Sequence, residues 1–357
     1  MRKTVLLAPL DWGLGHTTRC IPIAKRLLEN GARVLFAGDD SQRRYFDRFV
    51  TEAESLLLSG YDVTYSYTGS GFIPKVLIQV PKILRAIRVE HQWLEELTQS
   101  RQIDGIISDN RYGLWHSRIP SVILTHQLRV QTGMGHWGDS IFQRLHYRNL
   151  NKFQSCWVVD QPEAPGLSGI LSHPRQLPRN SKYIGPLSQF EPGSGGMRKK
   201  HLLILLSGPE PQRSLLSELL WKQVQDLDEP VVFVEGKEKV GLRQATKPDI
   251  RWIAQTGGEE LRQLLLESRL MVCRSGYSTL MDASVLGLRL VTIPTPGQTE
   301  QLYLGRLWEK AGKAACFRQE GFDLSAALRI ADAYPYRQGA RAVCNYAAVI
   351  DDWYKTI

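Results

Sequence analysis

Val272-Cys273-Arg274-Ser275-Gly276-Tyr277-Ser278-Thr279-Leu280-Met281-Asp282, followed by Ile293-Pro294-Thr295-Pro296-Gly297-Gln298-Thr299-Glu300-Gln301, is the stretch that decides the fold. The apolar run Leu270–Cys273 predicts a buried strand. Gly276 between hydroxyl side chains marks a turn, and a helix follows it. Leu290–Ile293 predicts a second buried strand, and a polar loop closes the unit. Strand, turn, helix, strand is the unit of a parallel sheet. It sets a helix N-terminus beside a loop rich in Gln and Glu. Free N–H groups and a partial positive charge suit phosphate there. A carboxylate and amides nearby suit sugar hydroxyls. Phosphate and sugar held together predict a nucleotide-sugar site.

Working outward, the chain opens with the same unit. Val5–Leu10 is an apolar run, Asp11–His16 a Gly-containing loop, and Thr17–Asn30 has helical spacing that stops at Gly31. Val34–Ala37, Ile103–Ser108, Ser121–Thr125 and Cys156–Asp160 continue as strands. A second start lies at Leu202–Leu206, with the loop Ser207–Arg213 and the helix Ser214–Gln225. Val231–Glu235 is a further strand of that half. Between the halves lies Gly185-Pro186, then Glu191-Pro192-Gly193-Ser194-Gly195-Gly196, a linker composition. The expected division is an N-terminal Rossmann-like domain over 1–187 and a linker over 188–198. A second Rossmann-like domain follows over 199–338, and a helix over 339–357 crosses back to the first. Doubly wound sheets bind ligands at the carboxyl ends of their strands, so the two halves are expected to face a shared central cleft.

With 357 residues, 43% hydrophobic and 23% charged, the chain has the length and balance of an ordinary two-domain globular protein. A net charge of +9 favours a polyanionic partner without choosing one. The five cysteines are scattered and odd in number, which argues against a disulfide framework or zinc site and fits a reducing cytoplasm. The apolar run at the start meets Asp11 too early for a signal peptide. No window is long and apolar enough for a transmembrane span.

The loop Gly13-Leu14-Gly15-His16 allows close approach to the backbone. It misses the dinucleotide pattern because Thr18 stands at the third glycine position, so a nicotinamide cofactor is not expected, although Asp39 lies at the distance of a ribose-binding acid. A histidine at a helix mouth serves as a general base if its pKa lies near neutrality. The helix N-terminus is expected to lower that pKa. The alternative is that His16 only caps the helix.

Gly-Leu-Gly-His before an amphipathic helix resembles the first loop of GT-B glycosyltransferases, and specifically the MurG-like group of glycosyltransferase family 28. Cys273-Arg274-Ser275-Gly276, Thr279, Asp282, Pro294 and Gln301 match the donor-binding region of that family. The resemblance covers both halves and implies the GT-B fold. It implies that Arg274, Ser275, Gly276 and Thr279 meet the diphosphate of a UDP-sugar. Asp282, where the family has Glu, would hold ribose. Gln298, Glu300 and Gln301 would hold the donor sugar, and the backbone of Thr256–Gly258 the uracil edge. Gly15 and the loop Ser207-Gly208 would also serve the donor. Two prolines weaken that loop as a phosphate cradle, and Arg213 is expected to compensate with its charge. The family's acceptor-side His-Glu-Gln-Asn is here Thr125-His126-Gln127-Leu128, which argues for a different acceptor. Gly13, Asp109, Asn110, Arg111 and His126 are the acceptor-side candidates, and sequence spacing alone cannot say whether Asp109 assists His16. The N-terminal loop also resembles the UDP-sugar hydrolase of pseudaminic acid synthesis.

Pro74–Leu94 places Val76, Leu77, Val80, Ile83, Leu84 and Ile87 on one helical face and Lys75, Lys82, Arg85 and Arg88 on the other. Such a helix suits an anionic membrane surface. A solvated basic face on a packed helix is the plainer alternative. No nucleic-acid-binding signature accompanies it. The sequence therefore predicts an inverting, metal-independent glycosyltransferase with no cofactor besides its nucleotide-sugar co-substrate. Its hydroxyl acceptor is lipid- or glycan-linked and belongs to cell-envelope synthesis. The enzyme is expected in the cytoplasm, peripheral to the membrane. A UDP-sugar hydrolase and a non-catalytic nucleotide-sugar- or polyanion-binding protein are the alternatives.

Overall fold

The computed structural model describes residues 2–61, 80–130, 135–191, 199–237, 243–337 and 344–357. The chain divides into two units at Gln189 and Phe190, and the C-terminal helix belongs to the first. Each unit is built on a wholly parallel sheet.

The first unit contains β1 (Thr4–Pro9), α1 (Leu14–Glu29), β2 (Arg33–Gly38), α2 (Asp40–Asp47) and β3 (Glu54–Leu57). It continues with α3 (Val80–Ser100), β4 (Gly105–Asp109), β5 (Ser121–Thr125), α4 (Gly135–Leu150), β6 (Ser155–Val158) and β7 (Ser181–Tyr183). Seven strands run in the order β3-β2-β1-β4-β5-β6-β7. β1, β4 and β5 are buried along their whole length. Their runs of Val, Leu and Ile therefore read as continuous apolar segments rather than alternating ones. Chain order reverses between β1 and β4, so their carboxyl ends flank the switch point, where open α/β sheets form a crevice.

α10 (Tyr346–Thr356), the C-terminal helix, packs on this unit. Asn30 donates to Asp351 Oδ1 at 2.7 Å, and Arg26 pairs with the same carboxylate. Trp353 meets Trp157 edge-on at 5.7 Å. Gly105 makes room for it: a Cβ there would stand 2.6 Å from the Trp353 ring.

The second unit contains β8 (His201–Leu205), α5 (Gln212–Val224), β9 (Val231–Val234), β10 (Ile250–Ile253), α6 (Gly258–Glu267) and β11 (Ser268–Cys273). Then come α7 (Tyr277–Leu286), β12 (Leu290–Thr292), α8 (Thr299–Lys310), β13 (Ala314–Cys316) and α9 (Leu324–Ala333). Its six strands run β10-β9-β8-β11-β12-β13, with the switch point between β8 and β11. Leu202, Ile204, Leu216, Leu220, Phe233, Val272 and Val291 form its core.

Two doubly wound parallel sheets are thus present, as the sequence predicts. Local boundaries differ. α1 begins at Leu14 rather than Thr17, because Gly13, with φ 95°, supplies the N-cap. Glu300 and Gln301 are not in a loop: Gln298 is the N-cap of α8, and both residues lie in its first turn. Residues 74–79 of the basic amphipathic segment and 192–198 of the linker lie outside the described residues, as do 339–343 of the C-terminal segment. From Val80 the segment is helical, with Leu84 and Val89 exposed and only Glu90 and Leu94 buried.

Candidate active site

Both switch points carry residues singled out from the sequence. In the first unit, β1 ends at Pro9 and leads through Leu10–Gly13 into α1, while β4 ends at Asp109. Pro9 and Asp109 are register partners. His16, in the first turn of α1, therefore stands over the end of β4. Its Nδ1 lies 3.0 Å from Asp109 Oδ2. The His16 side chain keeps 16% exposure, and Asp109 keeps none. Nε2 has no hydrogen bond to the described residues.

A third residue completes the cluster, and the sequence reading passed over it. Arg19, one helical turn beyond His16, is 2% exposed. Its Nε donates to Asp109 Oδ2 at 2.8 Å and its Nη2 to Asp109 Oδ1 at 2.6 Å. Nη2 also approaches His16 Nδ1 at 2.7 Å, and Nη1 lies 3.5 Å from His126 Nδ1. The i, i+3 spacing of His16 and Arg19, which puts both on one helical face, was the available signal. Burial would raise the Asp109 carboxyl pKa, but Arg19 and His16 outweigh it and hold the group at about 2. The pKa of His16 is lowered, first by burial. Asp109 acts against this, while Arg19 and His126 add to it. Desolvation is the largest cause of that lowering.

Of the other acceptor-side candidates, His126 is 6% exposed and stays beside the cluster. Gly13 gives the loop its turn, and Gly15 lies in the first turn of α1, where Thr18 Oγ1 donates to its carbonyl. Asn110 takes a left-handed φ of 59°, and its N–H donates to Leu124 O. Arg111 corrects the expectation. It is fully buried, pairs with Glu90 Oε1 at 2.8 Å and donates to Pro9 O and Ser59 O. Its charge is spent inside the unit, tying α3 to β1, and no acceptor can reach it. Glu90, buried in the middle of an amphipathic helix, went unnoticed because its partners lie on other elements.

In the second unit, the carboxyl ends of β8, β11 and β12 gather Ser207–Pro211, Arg274–Gly276 and Ile293–Gln298. The N-cap of α7 is Gly276, without a side-chain cap and with no acidic residue in the first turn. A helix N-terminus without a side-chain cap is a ready anion site. Thr279 is half-buried in that turn, and Asp282 lies one turn further on. Gln298 Oε1 is buried with no hydrogen-bond partner among the described residues. A buried orphan acceptor costs stability unless a donor reaches it. Thr256 gives its hydroxyl to Glu260 at 2.7 Å, and Gly257 is the N-cap of α6, which starts at Gly258.

Three expectations change here. The Ser275 hydroxyl does not face open space: it is fully buried and donates to Gln301 O at 2.8 Å, pinning α8 to the turn. Arg274 is 1% exposed and donates to Ile293 O, Pro294 O and Gln212 O. It fastens three loops, and burial lowers its pKa to about 10. Arg213 pairs with Glu210 at 2.7 Å and donates to Gly236 O, so its charge does not stand free to compensate for the prolines. Glu210 also accepts from Ser214 N at 3.3 Å, placing a carboxylate of the chain itself at the start of α5. Ser207 is exposed, and Gly208 takes φ 107°. Gln301 Oε1 accepts from Thr295 N at 2.9 Å, while Glu300 is half-buried beside it.

Residues 244–338 match the model of the glycosyltransferase family 28 C-terminal domain. An uncharacterized glycosyltransferase of Methanosarcina acetivorans is 22% identical, over 97% of this chain and 92% of that protein. Among solved structures, the glycotransferase of kitacinnamycin superposes with a TM-score of 0.66 at 14% identity, covering 100% of this chain and 99% of that one. MurG of Acinetobacter baumannii gives 0.59 at 14% identity, over 99% and 100%. Arabidopsis thaliana UGT89C1 complexed with UDP-L-rhamnose gives 0.62 at 12% identity, over 100% and 94%. The fold is GT-B, and residues 244–338 of the second unit are similar to the family 28 C-terminal domain.

Proposed function

We propose that this GT-B glycosyltransferase moves a sugar from a nucleotide-diphospho-sugar, UDP-linked, to a hydroxyl acceptor with inversion at the anomeric carbon. The observation that carries the reading is His16 on Asp109 at the switch point of the first sheet, with Nε2 unengaged. A ring that donates from Nδ1 to Asp109 keeps its lone pair on Nε2. That lone pair takes the acceptor's hydroxyl proton as the oxygen attacks the anomeric carbon. The bond from that carbon to the diphosphate breaks, and its electron pair leaves on the phosphate oxygen. The uncapped N–H groups of α7 meet the negative charge that develops there. One displacement inverts the centre.

In this reading Gly276 and Thr279 contact the diphosphate, and Asp282 holds the ribose diol. Gln298, Glu300 and the Gln301 amide nitrogen hold the sugar, and the backbone of Thr256–Gly258 meets the base edge. His126 and Asn110 border the acceptor. Neither metal nor further cofactor is assigned a role. No described helix is long and apolar enough to cross a membrane. Contact with an anionic lipid surface is assigned to α3, where Leu84 and Val89 are exposed among Lys82, Arg85 and Arg88. A lipid-linked acceptor in envelope synthesis on the cytoplasmic side follows from that assignment.

The test is a thermal-shift panel of UDP-, GDP-, dTDP- and CDP-sugars, followed by turnover of the best donor by the wild type and His16→Ala. A ligand that binds the folded state raises the melting temperature with its concentration. Stabilisation by a UDP-sugar, with transfer lost and donor binding kept in His16→Ala, supports the reading. No shift with any UDP compound removes its donor half. Free sugar released at full rate without acceptor converts it to a hydrolase.

A further inference from the structure

Asp109 and Arg19 compete for one atom. Only one partner can bond His16 Nδ1 at a time. A protonated Nδ1 donates to Asp109 Oδ2, 3.0 Å away. A bare Nδ1 accepts from Arg19 Nη2, 2.7 Å away. The first arrangement leaves Nε2 able to take a proton, and the second places the proton on Nε2 already. A doubly protonated ring must hold its Nδ1–H against the guanidinium. Meanwhile both oxygens of Asp109 are occupied by the Arg19 fork, at 2.8 and 2.6 Å. The carboxylate that stabilises an imidazolium is therefore already paired with a cation, in a pocket where both partners are buried.

We propose that Arg19 is a positioning residue for His16: it holds Asp109 in place with a two-pronged pair, and by standing against Nδ1 it makes the ring a weaker, more readily discharged base than a histidine–aspartate pair alone. This rests on the reading of His16 as the base. The groups facing His16 are Asp109 at the end of β4, Arg19 on its own helix and His126 after β5. The Cys20 thiol lies beside Asp109 and Arg19, and burial keeps it protonated. The direction of each influence follows from its sign. Asp109 favours the charged ring, whereas Arg19 and His126 disfavour it. Without Arg19 the carboxylate acts unopposed. Without Asp109 the guanidinium does.

The experiment follows the His16 imidazole by NMR across pH in protein labelled with ¹⁵N-histidine, its resonance assigned by its loss in His16→Gln. The same variants are assayed for the acid limb of kcat/KM. Arg19→Gln and Arg19→Met are expected to raise the His16 midpoint, Gln by about one unit or more, which is roughly a tenfold change in neutral fraction below it. Asp109→Asn is expected to lower it. Opposite movements are the signature, because a loosened pocket would shift all variants toward the ordinary histidine value. Arg19→Met keeps the side chain's length without its cation and serves as the deciding variant if Arg19→Gln does not fold. A midpoint unmoved in the Arg19 variant, or moved the same way by Asp109→Asn, overturns the inference. So does a wild-type midpoint above the ordinary histidine value. If His16→Ala turns over normally while the titrations shift oppositely, the base reading fails and the hold of Arg19 on His16 stands. If His16→Ala is dead and Arg19 leaves the titration untouched, the reverse holds.

Discussion

Gly276→Ala separates what the fold needs at the mouth of α7 from what a ligand needs. Gly276 has φ −71° and ψ 140°, a conformation open to any residue. A Cβ built there meets no heavy atom within 4 Å. Two small opposing effects remain. Restricting the unfolded chain stabilises by about 0.4–1 kcal/mol. Alanine is a poorer N-cap than glycine, which costs about 0.5–1 kcal/mol. The net change is expected within about 0.5 kcal/mol, or roughly 2 °C in melting temperature for a unit of this size. A diphosphate seated on the N-terminus of α7 would meet the new methyl directly. Charge-assisted hydrogen bonds of about 1.5–3 kcal/mol would lengthen, and the Kd for UDP is expected to rise about tenfold or more. Calorimetric titration of UDP into both proteins, with melting curves of the ligand-free forms, measures the two quantities. Unchanged affinity with unchanged melting refutes a diphosphate at α7. Gly13 and Gly208 offer no such test, because their φ values of 95° and 107° strain any side chain.

Glu210→Gln releases Arg213 and removes the carboxylate at the start of α5. UDP affinity is expected to improve about twofold to fivefold, the scale of an exposed ion pair, and weaker binding would exclude a phosphate there. Arg111→Met leaves Glu90 buried without its cation and is expected to cost about 3–5 kcal/mol in urea denaturation; a loss under about 1 kcal/mol would show the pair is not structural. Two buried groups contribute separate windows to acid destabilisation. Burial lowers the His146 pKa to about 4, so its contribution is full above 6.5 and fades as pH falls from 6.5 to about 4. Asp109, held at about 2 against 3.8 unfolded, fades between those values. The losses are about 3 and about 2 kcal/mol, and urea midpoints of His146→Gln and Asp109→Asn should each fall less steeply than wild type across the matching window.

Much of the frame was legible because its signals are local. Ser121–Thr125 reads as a strand and is one, since a fully buried parallel strand is apolar on both faces. Gly31, with φ 82°, ends the first helix as its position suggested. The misreadings fall where one short segment serves two ends. Glu300 and Gln301 looked like loop because their polar run also satisfies a helix cap, and the buried Ser275–Gln301 bond that fixes α8 joins residues far apart in sequence.

Arginines show where the two levels part. Residue order alone established two strand–loop–helix openings, a histidine at the first and a helix start after the strand Leu270–Cys273 of the second half. These depend on hydropathy period and on glycine, which act over a few residues. Arg111, Arg213 and Arg274 looked alike as cations near loops, and Arg19 drew no notice. Tertiary structure decided that Arg111 answers Glu90, Arg213 answers Glu210, Arg274 binds only carbonyls, and Arg19 reaches Asp109 across ninety positions of chain. A charge has no period to reveal its partner. What it does depends on which opposite charge the folded chain brings within about 3 Å, and on how much water is excluded around the pair.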